Sequence, residues 1–323
     1  PELDALCDYT EKAYGKFDGD PAPVVKLDDN VFVMELWHGP THAFKDIALT
    51  LLPYLLCGSK KITGNDNVTL IPVATSGDTG KAALEGFAGV DGTGVAVFYP
   101  DGGVSELQRL QMITTDGGNV FVSAVKGNFD DAQTAVKKAF TDAELVGRLA
   151  DMGIELSSAN SINFGRLAPQ VTYYFTAYAD LLDGGQIRYG DKVDFCVPSG
   201  NFGDILAGCY ARKMGLPVGR LICASNENNV LCDFIRTGTY DARREFRKTS
   251  SPSMDILISS NLERLVFDLS GEDAELTALR MSALRSEGVY SLSAKETANM
   301  QAVFAADYAT EEEVAEITET YFE

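Results

Sequence analysis

Short apolar runs of strand length alternate with helix-length amphipathic segments through the middle of this sequence, and that rhythm confines the chain to an α/β fold with a mainly parallel sheet. Residues 68–73 read as a buried strand, followed by the turn Thr75-Ser-Gly-Asp-Thr-Gly80 and a helix over 81–87. The pattern repeats with a strand at 94–99, a Pro100-Asp-Gly-Gly103 turn and a helix over 105–113. It repeats again with a strand at 119–125, whose following helix is capped by Asn128 or Asp130. Farther on, a strand at 192–197 leads through Ser199-Gly-Asn-Phe-Gly203 into a helix over 204–214, and 221–224 supplies one more strand. A polar stretch at 156–166 feeds a helix bearing Tyr173, Tyr174, Phe175 and Tyr178, an aromatic stripe whose ordinary role is core packing. Residues 310–323 read as an acidic amphipathic helix.

With 323 residues, 45% of them hydrophobic, the chain can bury the core of one large domain or two ordinary ones. Its 47 acidic residues against 27 basic ones leave a formal charge of -20, which works against sequence-independent binding to nucleic acid or to an anionic membrane. An anionic small substrate then requires a locally basic pocket. The six cysteines include no Cys-x-x-Cys and no neighbouring histidine, so neither zinc nor a disulfide framework is expected, and a reduced, cytoplasmic setting is. The longest apolar stretch, around residues 47–57, is too short to span a bilayer. The sequence opens at Pro1 with no basic-then-apolar leader, so a fragment or a processed chain is expected.

A loop that leaves a buried parallel strand and enters a helix turns free backbone N–H groups and the positive end of the helix dipole toward a ligand. Two loops have that form, residues 75–80 and 199–203, and glycine in each lets the backbone approach an anion closely. An ordinary β-α turn uses the same residue types, so either loop alone decides little. Nucleotide binding fits poorly: in the near match to a phosphate-binding loop ending Gly77-Asp-Thr-Gly-Lys81, Thr75 replaces the first glycine and Ala82 the magnesium-binding hydroxyl residue.

Lys45 lies between Ala43-Phe44 and the apolar start Ile47-Ala48-Leu49, with Gly39-Pro40 upstream. A lysine in an apolar, partly desolvated niche loses its proton more readily and can form a Schiff base with an aldehyde. A helix-start lysine beside Asp46 is otherwise simply solvated. His38 and His42 are four residues apart, but Gly39-Pro40 between them disfavours the helix a zinc pair would need.

Five segments, in order, resemble the threonine synthase family of fold-type-II pyridoxal phosphate (PLP) enzymes. They are His38-Gly-Pro-Thr-His-Ala-Phe-Lys-Asp46, residues 74–80, Ser158-Ala-Asn-Ser-Ile-Asn163 with Arg166, residues 197–204, and Ala224-Ser-Asn-Glu-Asn228. Residues 251–265 resemble the longer-chain subgroup of that family. The resemblance implies a tryptophan synthase β-like fold with two α/β domains, each containing a parallel sheet. The smaller, residues 67–159, is nested in a larger PLP-binding domain formed by 1–66 and 160–323.

The implied reaction converts O-phospho-L-homoserine and water to L-threonine and phosphate. Lys45 would hold PLP as a Schiff base and, once freed, move protons at Cα and Cβ. Ser199, Gly200, Asn201, Phe202 and Gly203 would hold the cofactor phosphate. Thr75, Ser76, Gly77, Asp78 and Thr79 would hold the substrate carboxylate, with Asp78 also meeting the cofactor. Asn160, Asn163 and Arg166 are similar in placement to groups that meet the substrate phosphate, a dianion suited to an arginine fork. Family members extend beyond both ends of this sequence, with a C-terminal Thr-Ala-His-Pro-like stretch whose hydroxyl faces the pyridine nitrogen; those segments are expected to be lacking here, and no residue is assigned to that nitrogen. Two other readings share most of these residues: another fold-type-II lyase, such as a serine or threonine dehydratase, and a non-catalytic relative that keeps the fold as a binding module.

Overall fold

The alternation over residues 68–125 becomes one edge and the centre of a four-stranded parallel sheet. The computed structural model describes residues 2–75 and 77–322, which fall into two compact units, Pro1–Pro169 and Gln170–Glu323.

The first unit opens with α1 (Leu3–Tyr14), an antiparallel hairpin of β1 (Val24–Asp28) and β2 (Val31–Met34), then α2 (Asp46–Leu49) and α3 (Leu52–Thr63). It continues β3 (Val68–Ala74), α4 (Asp78–Phe87), β4 (Thr93–Pro100), α5 (Glu106–Ile113), β5 (Val120–Val125), α6 (Phe129–Thr141), α7 (Ala143–Asp151) and β6 (Ile154–Leu156), and then starts α8 (Phe164–Asp183). Ser105 caps α5 and Asn128 caps α6, each in a reciprocal capping box, so of the two candidate caps for α6 the structure selects Asn128. The helix after residue 80 begins earlier than the sequence suggests, at Asp78. Gly77 makes the entry turn at φ 147°, a conformation open to glycine, and the Asp78 carboxylate suits the positive end of the helix.

The sheet order is β5-β4-β3-β6, and every pairing is parallel. From β3 the chain steps to β4 and β5 on one side, then returns with β6 on the other. The β3/β6 boundary is therefore the point where the winding reverses, and in open α/β sheets ligands bind at the carboxyl ends of such strands. The core of this unit joins Ile71 and Val73 of β3, Val95 and Val97 of β4, Ala82, Ala83, Leu84 and Phe87 of α4, Leu49, Leu52, and Ala159 beyond β6. All are at most 1% exposed, a dry layer of the kind that supplies most of the driving force for folding.

The second unit takes most of α8 and adds β7 (Val193–Pro198), α9 (Gly203–Lys213), β8 (Val218–Ser225), α10 (Val230–Thr237), β9 (Thr239–Asp241), α11 (Leu262–Leu269), α12 (Ala274–Glu287), β10 (Val289–Ser291), α13 (Ala294–Gln301), β11 (Phe304–Tyr308) and α14 (Glu311–Phe322). Strands β7, β8 and β11 form a parallel sheet in the order β11-β8-β7, and β9 pairs antiparallel with β10. The aromatic stripe of α8 is core: Tyr173, Tyr174 and Tyr178 are buried, and the Tyr174 hydroxyl donates to the Asp204 carbonyl at 2.7 Å. Strand β6, three residues long, and strand β11, ending in exposed polar positions, carry too little apolar signal to stand out in the sequence.

Candidate active site

The run around Lys45 is folded over a buried carboxylate. Asp46, 0% exposed, accepts from the Thr41 hydroxyl at 2.6 Å and the Thr41 amide at 2.8 Å, which closes the turn that presents Lys45. Burial pushes the Asp46 carboxyl above the usual range, while those two donated bonds pull the other way. Gly39 has no room for a side chain, since a Cβ there would lie 2.5 Å from Asp46 Cβ. His42 takes a left-handed φ of 56° to complete the turn. All four residues of α2 are buried, and at Gly86 helix α4 presses directly on the Leu49 carbonyl. The Lys45 ammonium is thereby fixed 3.6 Å from Asp78 Oδ2 and 4.8 Å above the centre of the Phe44 ring, with its side chain 11% exposed.

The loop after β3 is shaped by Thr75. Its buried hydroxyl oxygen accepts from the amides of Gly77 and Gly80, both at 3.0 Å, and a Cβ on Gly80 would overlap the Thr75 methyl. Gly77 likewise lies against the Gln108 side chain. Thr79 is half-buried in the first turn of α4; Ser76 lies outside the described residues. Asp78 gathers three side chains: Lys45 on Oδ2, and on Oδ1 both Lys81 at 3.4 Å and the donating Gln108 amide at 3.1 Å. Neither Lys81 nor Gln108 is among the site residues expected from the sequence. The signal for Lys81 was its spacing, because residues 78 and 81 share one face of a helix; Gln108 carried none, since its place comes from the fold.

The segment beyond β6 holds several bonds within itself. Asn163 Nδ2 donates to the Ser158 carbonyl at 2.7 Å, Asn163 Oδ1 accepts from the Gly165 amide at 2.8 Å, and Arg166 Nη1 donates to the Ala159 carbonyl at 3.0 Å. Asn160 is exposed, whereas Arg166 is only 3% exposed. The loops 75–80 and 157–163 thus leave the carboxyl ends of neighbouring strands at the winding reversal, and Ala159 packs in the same core as Leu49 and Ala82. The first unit in this way assembles Lys45, the 75–79 loop and the 160–166 segment around one core.

Within the second unit, residues 199–203 enter α9. Ser199 donates to Asp204 Oδ1 at 2.5 Å, and Phe202, buried and in the left-handed region at φ 65°, offers no side-chain cap to the helix. The Gly200 carbonyl accepts from the Ser259 hydroxyl, and the Asn201 carbonyl from the Asn261 amide at 3.1 Å. In a planar trans peptide the next N–H points opposite to the carbonyl, so anchoring these two oxygens turns the amides of Asn201 and Phe202 the other way. A Cβ on Gly200 would lie 2.9 Å from Ile256 Cγ1, which excludes larger residues. Asp204 Oδ1 already accepts from the Ile205 amide at 2.9 Å, so the amides of Asn201 and Phe202 are the ones this glycine-opened helix start could offer to the phosphate of a cofactor.

His38 Nε2 lies 2.8 Å from Glu35 Oε2, and His42 Nδ1 lies 3.1 Å from the Trp37 carbonyl. Among the described residues no group of three or more His, Cys, Asp or Glu could hold a metal ion, and no helix is long and apolar enough to cross a membrane.

No protein-family model matches the chain. Individual relatives do. Threonine synthase-like 1 from Homo sapiens is 43% identical over 98% of this chain, and threonine synthase from Pseudomonas aeruginosa 42% identical over 96%. The chain spans 44% of the length of the first and 64% of the second. The crystal structure of PLP-bound threonine synthase from Brucella melitensis superposes with a TM-score of 0.92 at 41% identity, over 99% of this chain and 67% of that one. Agreement of that order in both sequence and backbone carries the fold-type-II assignment with it: the chain belongs to the threonine synthase family.

Proposed function

We propose that this chain carries the catalytic centre of a threonine synthase, a PLP-dependent lyase that converts O-phospho-L-homoserine and water to L-threonine and phosphate. The observation that supports it most is the convergence at the winding reversal of the first sheet. There a lysine 11% exposed, a glycine loop shaped by Thr75 and a buried arginine sit around one core. Lys45 is the amine that would hold PLP, and the amides at 201–203 would hold its phosphate. Bound PLP supplies the electron sink that makes the Cα and Cβ protons of an amino acid acidic.

The protein's part is placement. Amides of the 75–79 loop take the substrate carboxylate at the entry to α4. Lys45, freed from the cofactor, moves the protons at Cα and Cβ, with Asp78 at 3.6 Å keeping its ammonium oriented. Arg166, supported by Asn160 and Asn163, recognises the substrate phosphate, whose two charges a guanidinium fork matches. On this reading residues 67–159 form the nested substrate-closing domain, and 1–66 with 160–323 the cofactor domain; the parallel sheet of the first unit, residues 68–156, falls inside the nested segment. Six cysteines without a disulfide are consistent with work in the cytoplasm.

The chain mixed with PLP should turn yellow, and Lys45→Ala should stay colourless. Phosphate release from O-phospho-L-homoserine, assayed for this chain and for a version extended at both ends, tests turnover. Colour without phosphate release from either protein would favour a binding relative, and release of ammonia from serine a dehydratase.

A further inference from the structure

Lys81 is a buried lysine beside the half-buried Lys45 in the first unit's site, and nothing in the proposed reaction uses it. It sits one helical turn after Asp78 in α4 and is 8% exposed. Its Nζ lies 3.4 Å from Asp78 Oδ1, while Lys45 Nζ lies 3.6 Å from Oδ2 of the same carboxylate. One carboxylate therefore faces two ammonium groups with side chains 10% and 11% exposed, where water screens little.

Several described elements of the first unit bring groups toward Lys45. From α4 come Asp78 and Lys81. Asp46, at the start of α2, is already engaged by both donors of Thr41 and also feels the charge of Lys81. From α1, Tyr14 donates to the Ile47 carbonyl at 3.1 Å, and burial pushes its hydroxyl up to about 12, so it carries no charge near neutral pH. Helix α3 meets this region through the buried, uncharged Leu52 and Pro53. From α5 comes Gln108, a neutral amide donating to Asp78 Oδ1. Asp78 is thus claimed on one oxygen by Lys81 and Gln108 before Lys45 approaches the other.

We propose that Lys81 is a positioning residue for Lys45: by holding Asp78 and adding a second positive charge beside it, Lys81 makes Lys45 give up its proton at lower pH than an ordinary lysine. Removing a proton from Lys45 leaves a neutral amine beside an Lys81–Asp78 ion pair, which relieves the repulsion between two ammonium groups that share one carboxylate. Without Lys81, the same carboxylate would face Lys45 with no second ammonium on it and hold the Lys45 proton more firmly. This rests on the reading of Lys45 as the reacting amine, but it concerns the chain without cofactor and is tested there.

The experiment is competitive labelling of the cofactor-free chain with trace acetic anhydride across a pH series, since only the unprotonated amine is acylated. Each lysine is read by peptide mass spectrometry, with the exposed Lys137 and Lys138 as internal references. Lys45 in the wild type should reach half-maximal labelling about one pH unit or more below the references. Lys81→Gln should move that midpoint up by about one pH unit, and Lys81→Arg, which keeps the charge, should restore it. A wild-type Lys45 that labels with the references overturns the proposal even if Lys81→Gln does not fold, and so does an unchanged Lys45 midpoint in a folded Lys81→Gln. A chain that shows the shift yet never colours with PLP would refute the threonine synthase reading while leaving the role of Lys81 in place.

Discussion

A Cβ placed on Gly86 would overlap the carbonyl oxygen of Leu49, so helices α4 and α2 touch backbone to backbone at that point. The same two helices carry Lys45, just ahead of α2, and Asp78, at the start of α4. Gly86→Ala should lower the unfolding free energy by about 1–3 kcal/mol, the usual cost of overpacking, and weaken binding of PLP. Gly147→Ala is the contrast: that glycine lies inside α7 with nothing near a new Cβ, so alanine should raise stability by about 0.5–1 kcal/mol. Urea unfolding of both variants decides it; equal effects would mean the α2–α4 contact is not tight.

Thr75 should be replaceable by serine but not by valine. Its oxygen satisfies two buried amides, and valine, nearly the same shape, leaves both without an acceptor at about 1–3 kcal/mol each. Thr75→Ser keeps the oxygen and should cost no more than about 1 kcal/mol for the lost methyl. If valine proved as stable as serine, the loop would be held by something other than this hydroxyl.

Arg166 separates the proposed reaction from its relatives. In Arg166→Ala the KM for O-phospho-L-homoserine should rise about ten- to a hundredfold, the worth of one or two hydrogen bonds to a charged group. The KM for serine or threonine, which carry no phosphate, should move far less. Equal changes for all three substrates would remove the phosphate from the role of Arg166 and leave its bond to the Ala159 carbonyl as the explanation.

The Arg280–Glu296 pair should set part of the acid sensitivity of the second unit. Two parallel bonds of 2.7 Å join the side chains, which are 9% and 10% exposed. The guanidinium, helped by Ser293, holds the Glu296 carboxyl down at about 2. A carboxyl depressed on folding stabilises the protein above its unfolded value, about 4.3, and that contribution is lost as pH falls from there to about 2. At neutral pH it amounts to roughly 3 kcal/mol. Glu296→Gln should flatten the pH dependence of urea unfolding between about pH 5 and 2 and cost about 3–5 kcal/mol, because a buried guanidinium loses its partner. Replacing Arg280 by methionine in the same protein should recover much of that. An unaltered acid transition in Glu296→Gln would show that the pair does not control it.

Much of the site was legible in the sequence because its parts are local. The Gly-rich loops announce themselves by composition, and Lys45 by its apolar neighbours. The identity of the α6 cap, Asn128 over Asp130, was not: both residue types cap helices, and the choice came from the reciprocal bond with Asp131. The start of α4 was placed late for a similar reason. Thr75, three residues ahead of the helix, supplies the acceptor that lets Gly77 make the entry turn, and such a bond has no signature in residue type.

What the sequence by itself determined is the β-α rhythm, the two glycine loops between a strand and a helix and the placing of Lys45 at a helix start, all consequences of residues next to one another in the chain. What only the tertiary structure decided is strand order and pairing across long separations. Three residues of β6 return to the free edge of β3 and create the winding reversal from which the loops 75–80 and 157–163 leave, although so short a run has almost no pattern of its own. The sharing of Asp78 by Lys45 and Lys81 likewise depends on α2 packing against α4 at Gly86. Burial is the physical reason these long-range contacts matter: in the dry space they enclose, a charge that would be screened at the surface must be answered by a specific partner.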